Sequence, residues 1–171
     1  HGEGILRTSR VPAPAATPAL EAQARAYAAA VTEKLDYVGV LAIEFFLESG
    51  CLLANEMAPR VHNSGHWSIE GAQTSQFENH LRALLGWPLG STEIRGPSVM
   101  YNLIGTLPDI QRVLRIPGAH LHLYGKSARP ARKLGHVTLT ASTTEELAAR
   151  EALLQEVVVG AASEPAITTT P

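Results

Sequence analysis

Apolar residues recur along the first part of the chain at two different periods. Leu20, Ala24, Tyr27, Val31 and Leu35 follow helical spacing while Glu21, Arg25, Thr32 and Glu33 fall mainly off that stripe, which predicts a helix over about 18–35. The preceding stretch VPAPAATP at 11–18 carries three prolines without backbone donors and reads as a loop or irregular edge. After the helix, LAIEFFLE and CLLANEM are two short apolar runs split by Ser49-Gly50, a hairpin signal. A three-residue connection at Ser49, Gly50 and Cys51 would pair Glu48 with Leu52, Phe46 with Ala54 and Glu44 with Glu56. That register turns Ile43, Phe45, Leu47, Leu53 and Met57 toward the core.

Farther along, Ser75-Gln-Phe-Glu78 has the form of a capping box, and Gly86 and Pro88 stop the helix it starts. Strand-like runs follow at 98–105, 120–125 and 136–141, separated by loops rich in Pro and Gly. Thr143 and Glu146 then cap a last helix carrying Leu147, Leu153, Leu154 and Val157, before a tail of Thr and Pro expected to fray. No internal repeat is present.

Composition adds limits. With 171 residues, 45% of them hydrophobic, the chain can bury a core of one ordinary domain or two small ones. A formal charge of −2 gives no overall attraction to nucleic acid or anionic membrane, so any anion must be gripped by a local cluster. No apolar run approaches the roughly 20 residues that span a bilayer, and no signal-peptide pattern opens the chain. The single cysteine, Cys51, excludes an internal disulfide framework and suits a reducing compartment, with the cytoplasm as the default; it reads as a turn or packing residue. His1 stands where an initiator Met would, so the chain is expected to be a segment of something longer.

Three groups of residues carry candidate chemistry. Glu44 and Glu56, opposite each other on one face of the hairpin, should repel unless a divalent cation lies between them. With Asn55 beside them they offer hard oxygen ligands for magnesium, although two solvated surface acids fit the spacing too. Arg60-Val61-His62-Asn63-Ser64-Gly65-His66 can cradle an anion, through a guanidinium fork and a Gly that permits close backbone approach, or be an ordinary polar loop. Lys126, Arg129, Arg132 and Lys133, flanked by His122 and His136, suit a phosphate or phosphoribosyl group; a solvated basic loop is the plainer alternative. The chain has no Gly-rich phosphate loop, Cys/His zinc pattern or serine nucleophile elbow.

Taken together, GVLAIEFF, LLANEMAPRVHNSGHWSIEGAQTSQFENHLRALLGWPLG, VMYNLIG and HLYGKSARPARKLGH resemble consecutive blocks of the biotin-independent ATP-grasp carboxylases of purine synthesis, the 5-(carboxyamino)imidazole ribonucleotide synthase family. The resemblance runs from Gly4 to about Ala141. It implies an α+β chain: the C-terminal half of an ATP-grasp domain, antiparallel sheet with helices, over 1–95; a small β-rich subdomain over 96–165; and a frayed tail over 166–171. It also implies a ligase using ATP, magnesium and bicarbonate to carboxylate 5-aminoimidazole ribonucleotide through carboxyphosphate. Glu44 and Glu56 would hold the metal, and Asn55 and Glu56 would line the ATP site. Arg60, His62 and Asn63 would be catalytic and, with Ser64, would face bicarbonate or the nucleotide, while Lys126, Arg132 and Lys133 would grip its phosphate.

The family's ATP-clamping parts would precede His1, so this segment alone is expected to be inactive. The full-length protein is expected to be a cytoplasmic homodimer, or plastid-located if eukaryotic, that binds neither nucleic acid nor membrane. A formate-dependent glycinamide ribonucleotide transformylase continues its Pro-Arg-Pro-His stretch with Asp-Thr-Gly where this chain has Asn63-Ser64-Gly65. The same loop disfavours a biotin carboxylase. A non-catalytic binding or dimerisation module is the remaining alternative, and intact Glu44, Glu56, Arg60 and His62 speak against it.

Overall fold

The computed structural model describes residues 4–163, with side chains to residue 158. In order, the elements are strand β1 (Thr8–Val11), helix α1 (Pro18–Lys34), strands β2 (Ala42–Glu48) and β3 (Cys51–Ala58), a 3-10 turn (Asn63–Gly65), helices α2 (Ser68–Gly71) and α3 (Gln76–Leu84), strand β4 (Ser98–Ile104), helix α4 (Ile110–Leu114), strands β5 (Ala119–Leu123) and β6 (Lys133–Thr140), and helix α5 (Thr144–Ser163). The fold is α+β, with antiparallel strand pairs and helices. Two compact units divide it, residues 11–95 and residues 4–10 together with those from 96 onward. Residues 4–10, expected with the first domain, group with the second compact unit in space. The expected frayed tail at 166–171 lies outside the described residues.

In the 11–95 unit, α1 starts at Thr17, whose hydroxyl accepts a hydrogen bond from the Leu20 amide at 3.3 Å, with Pro18 in the first turn. No residue of its expected stripe is fully buried; Tyr27 meets the Phe45 ring at 6.0 Å between centroids. The hairpin turn is shorter than expected. Ser49 and Gly50 both adopt positive φ, 49° and 80°, as a tight two-residue turn requires, so Glu48 pairs with Cys51 rather than Leu52.

Continued unchanged, that register would set Glu44 against Asn55. A bulge next to Glu44 takes up Asn55 as the extra residue and restores the Glu44–Glu56 pairing. It also mixes the two faces: Phe45 pairs with Ala54, Phe46 with Leu53 and Leu47 with Leu52. The expected core face does not form, and Leu47, Leu53 and Met57 are 46%, 47% and 54% exposed. Packing in this unit is instead supported by polar contacts. Asn79 of α3 is buried and exchanges two hydrogen bonds with Gly90, at 3.1 and 2.9 Å. The Ser75 hydroxyl caps α3 by accepting from the Glu78 amide at 3.2 Å, and Gly86 ends it at φ 66°.

The second unit is a four-stranded sheet in the order β1-β4-β6-β5, with β4 and β5 antiparallel to β6. β6 begins three residues earlier than its sequence pattern suggests, at Lys133. On one face Val99, Leu103, Val137 and Leu139 pack against Val113 and Ile116 and against Leu147, Leu154 and Val157 of α5. Leu153, expected on the same stripe, is 47% exposed, because Leu147, Leu154 and Val157 already complete the helical face. The opposite sheet face is polar yet buried, carrying Ser98, Asn102, His136 and Thr138 around Met100.

Besides the 3-10 turn and α2, β1 and α4 were not expected. β1 pairs with β4, and just before it the Asn102 amide and side chain donate to the carbonyls of Arg7 and Leu6, each at 2.9 Å. α4 is capped by Asp109, whose carboxylate accepts from the Gln111 and Arg112 amides at 2.9 and 3.2 Å. Arg10 reaches both oxygens of Glu151 on α5, at 2.5 and 2.7 Å, and Tyr101 donates to the same carboxylate. Burial pushes the Glu151 carboxyl up, but the bonds from Arg10 and Tyr101 outweigh it and hold the group below the usual carboxylate range.

Candidate functional site

The bulged hairpin delivers Glu44 and Glu56 to one end of the 11–95 unit, and the loop after β3 brings His62 between them. His62 Nδ1 lies 3.5 Å from a Glu44 oxygen, and Nε2 lies 3.2 Å from a Glu56 oxygen. One ligand atom from each of the three lies within 4.8 Å of the others. Glu44 and His62 are mostly enclosed, with side chains 18% and 12% exposed, while Glu56 at 56% opens to solvent. Asn55, the bulge residue, places its amide nitrogen 3.4 Å from Glu44. The two carboxylates offer the oxygen donors that suit a hard divalent cation that keeps some of its waters. Two like charges set across adjacent strands are otherwise unfavourable.

His62 is held from below. Its Nδ1 accepts from the Ser64 amide at 3.4 Å and lies 2.8 Å from the Ser64 hydroxyl, which suits the tautomer with the proton on Nε2, facing Glu56. The Gln76 side chain grips the His62 backbone at both ends. Its Oε1 accepts from the His62 amide at 2.9 Å, and its Nε2 donates to the His62 carbonyl at 2.7 Å. Ser68 ties the same loop to α3, donating to the Gly65 carbonyl at 2.6 Å and accepting from the Gln76 amide at 3.0 Å. Beneath it lies a cavity of about 260 Å³ with Val40, Ser68, Gln76 and Asn79 among its walls.

Arg60 is exposed, and its guanidinium donates to the Val61 carbonyl at 3.0 Å, so among the described contacts it is not drawn into the carboxylate cluster. Asn63 opens the 3-10 turn. Cys51 is free and exposed at the hairpin tip.

The basic loop lies in the other unit. Lys126 sits over the Tyr124 ring at 5.3 Å, and Arg132 bonds the Ser127 hydroxyl at 3.2 Å. Lys133 is the first residue of β6. The Tyr124 hydroxyl lies 2.7 Å from His136 Nδ1, and the His136 ring stacks on His122 with centroids 4.5 Å apart. Sequence reasoning placed His62 with the substrate and did not join it to the acids; it missed Gln76, Ser68 and Tyr124. The His-Asn-Ser-Gly-His run was the available signal for the loop, but nothing local points to a side chain fourteen residues later. Among the described residues no helix is long and apolar enough to cross a membrane.

Residues 1–77 match the ATP-grasp domain, and residues 98–150 match the phosphoribosylaminoimidazole carboxylase C-terminal domain. The chain is 51% identical over 158 residues to N5-carboxyaminoimidazole ribonucleotide synthase of Pseudomonas aeruginosa, covering 92% of this chain and 43% of that protein. Its identity to the Escherichia coli enzyme of the same name is 50% over 155 residues, covering 90% and 43%. The crystal structure of N5-carboxyaminoimidazole ribonucleotide synthetase from Thermus thermophilus superposes with a TM-score of 0.90 at 58% identity, covering 97% of this chain and 45% of that one. An Aspergillus clavatus synthase in complex with ADP and 5-aminoimidazole ribonucleotide gives a TM-score of 0.86 at 39% identity, with 94% and 45% covered. The chain thus spans less than half the length of the relatives it matches. With an ATP-grasp portion followed by the carboxylase C-terminal domain, it belongs to the N5-carboxyaminoimidazole ribonucleotide synthase family as a C-terminal part of such a protein.

Proposed function

We propose that the full-length protein carrying this segment is an ATP-dependent ligase of purine biosynthesis that carboxylates 5-aminoimidazole ribonucleotide with bicarbonate. The observation that carries this reading is the convergence of Glu44, Glu56 and His62, within 4.8 Å of one another at the end of a bulged hairpin. A bicarbonate oxygen attacks the γ-phosphorus of ATP, ADP leaves and carboxyphosphate forms. The exocyclic amine of the ribonucleotide then attacks the carboxyl carbon, phosphate leaves and the amine loses a proton. Products are ADP, phosphate and the carboxyamino nucleotide.

Glu44 and Glu56 would hold magnesium, which when bound supplies neutralisation of the phosphate charge during phosphoryl transfer. Asn55 and Glu56 line the nucleotide side of the site. Arg60, His62, Asn63 and Ser64 are assigned to bicarbonate and the reacting amine, with His62 steadied by Ser64 and by the Gln76 clamp. Lys126, Arg132 and Lys133 are assigned to the ribonucleotide phosphate, Lys126 being braced by its seat on Tyr124. Such a site works mainly by positioning and fixed charge. The reading places the full-length protein in the cytoplasm as a homodimer.

The test is ADP formation by the full-length protein, with bicarbonate and 5-aminoimidazole ribonucleotide in one assay and formate and glycinamide ribonucleotide in another. Turnover with the first pair alone is the expected result. Turnover with the second pair, or with neither, overturns the proposal.

A further inference from the structure

We infer that Gln76 is a positioning residue for this reaction: its amide locks the backbone of His62 in place and sets the tautomer of His66. The inference rests on the reading of Glu44, Glu56 and His62 as the reactive site. It follows from the donors and acceptors around one side chain. The His62 backbone N–H can only donate, so the Gln76 atom facing it at 2.9 Å must be the amide oxygen. The other end is therefore the –NH2 group, whose two protons meet the His62 carbonyl at 2.7 Å and His66 Nδ1 at 2.9 Å. Since Gln76 donates there, His66 Nδ1 must be an acceptor, and the His66 proton sits on Nε2.

A primary amide is the side chain that can accept at one end and donate twice at the other across this gap. A carboxylate would set an acceptor oxygen, in place of the –NH2 group, against the His62 carbonyl and the His66 lone pair. The surroundings are cut to the same shape. A Cβ on Gly65 would lie 2.7 Å from Gln76 Oε1, so the loop leaves the amide room only because residue 65 has no side chain. Ser68 holds the Gln76 backbone at 3.0 Å, fixing the point from which the side chain reaches. Through the His62 backbone the clamp sets where the imidazole falls between Glu44 and Glu56, and misplacement on the ångström scale is enough to slow a positioned reaction.

The experiment uses the full-length protein labelled with 15N-histidine, the His66 signals being assigned by their loss in His66→Gln. At a pH where the ring is neutral, His66 is expected to show a protonated Nε2 and an unprotonated Nδ1. Gln76→Met, which keeps the length and removes the hydrogen bonds, should mix the two tautomers and lower kcat by roughly 10–100-fold. Combined with His62→Ala it should lower activity no further than His62→Ala alone, because both act through one group. A wild-type His66 protonated on Nδ1 overturns the inference without any variant having to fold. So does a Gln76→Met protein with wild-type turnover, or losses that add in the double variant. Absence of ATP-dependent turnover in the wild type defeats the proposed function and with it the link to this reaction, while the His66 tautomer separately decides whether Gln76 forms the clamp.

Discussion

The two units solve the problem of specifying a shape in opposite ways. From residue 96 onward a full apolar core is present: Val99, Leu103, Val137, Leu139 and Leu154 interlock on one sheet face, while the other face of β4 and β6 buries Ser98, Asn102, His136 and Thr138. In residues 11–95 the buried hydrophobics among the described residues are two alanines, Ala58 and Ala72, and the buried polar residues are Ser68, Thr74 and Asn79. The second unit has a large apolar core beside its buried polar face, whereas the first, with little apolar volume buried, leans on directional hydrogen bonds. Volume tolerates small shifts, whereas paired donors and acceptors do not. The unit that carries the carboxylates and His62 is the one whose loops are bonded atom to atom, as a site that works by positioning requires.

The contrast predicts different penalties for comparable truncations. Leu154→Ala, at a side chain with no solvent exposure, should destabilise the second unit by about 2–5 kcal/mol, through lost transfer energy and the cavity left behind. The measurement is amide exchange in β4 and β6, whose protection should fall accordingly. Asn79→Ala removes little volume but strands the Gly90 N–H and carbonyl, and about 1–3 kcal/mol is expected, read from exchange in α3. If Asn79→Ala leaves α3 protected, water satisfies Gly90 and hydrogen bonds do not specify this unit. If its cost equals that of Leu154→Ala, the directional unit is the more brittle of the two.

The same division governs what could be read from sequence. Local chemistry was legible: the Ser75 and Thr143 caps, the helix that begins at Pro18 and strands β4, β5 and β6 all follow from neighbours in the chain. The Glu44–Glu56 pair was reached by a route the structure revises. The turn is one residue shorter than expected and the Asn55 bulge adds the residue back, so the pairing stands while the inferred core face does not. Features that depend on distant partners were not legible. β1 is defined by its pairing with β4, and the Gln76 clamp by a loop folding back from residue 62. In neither case does the local pattern of apolar and polar residues carry information about the partner.

The smallest stability effect is expected at the site itself, and there the sign is informative. Glu56→Gln keeps the shape of the side chain and removes one of two like charges paired across the hairpin, so without metal it should be neutral to slightly stabilising, within about 0.5 kcal/mol. His62, with Nε2 at 3.2 Å from Glu56, keeps that gain small by already offering a partner. Adding magnesium with ADP to the full-length protein should reverse the order. A cation that binds the folded state raises its stability by RT ln(1 + L/Kd), where L is the free cation concentration, and the variant, lacking one anionic ligand, has the larger Kd. Thermal unfolding with and without magnesium should therefore show the larger rise in the wild type, together with depressed ADP formation in the variant. An equal rise in both proteins would remove Glu56 from the metal's ligands and leave the carboxylate pair as surface charge. A larger rise in the wild type would mean that the repulsion built into the bulged hairpin is maintained for the ion that relieves it.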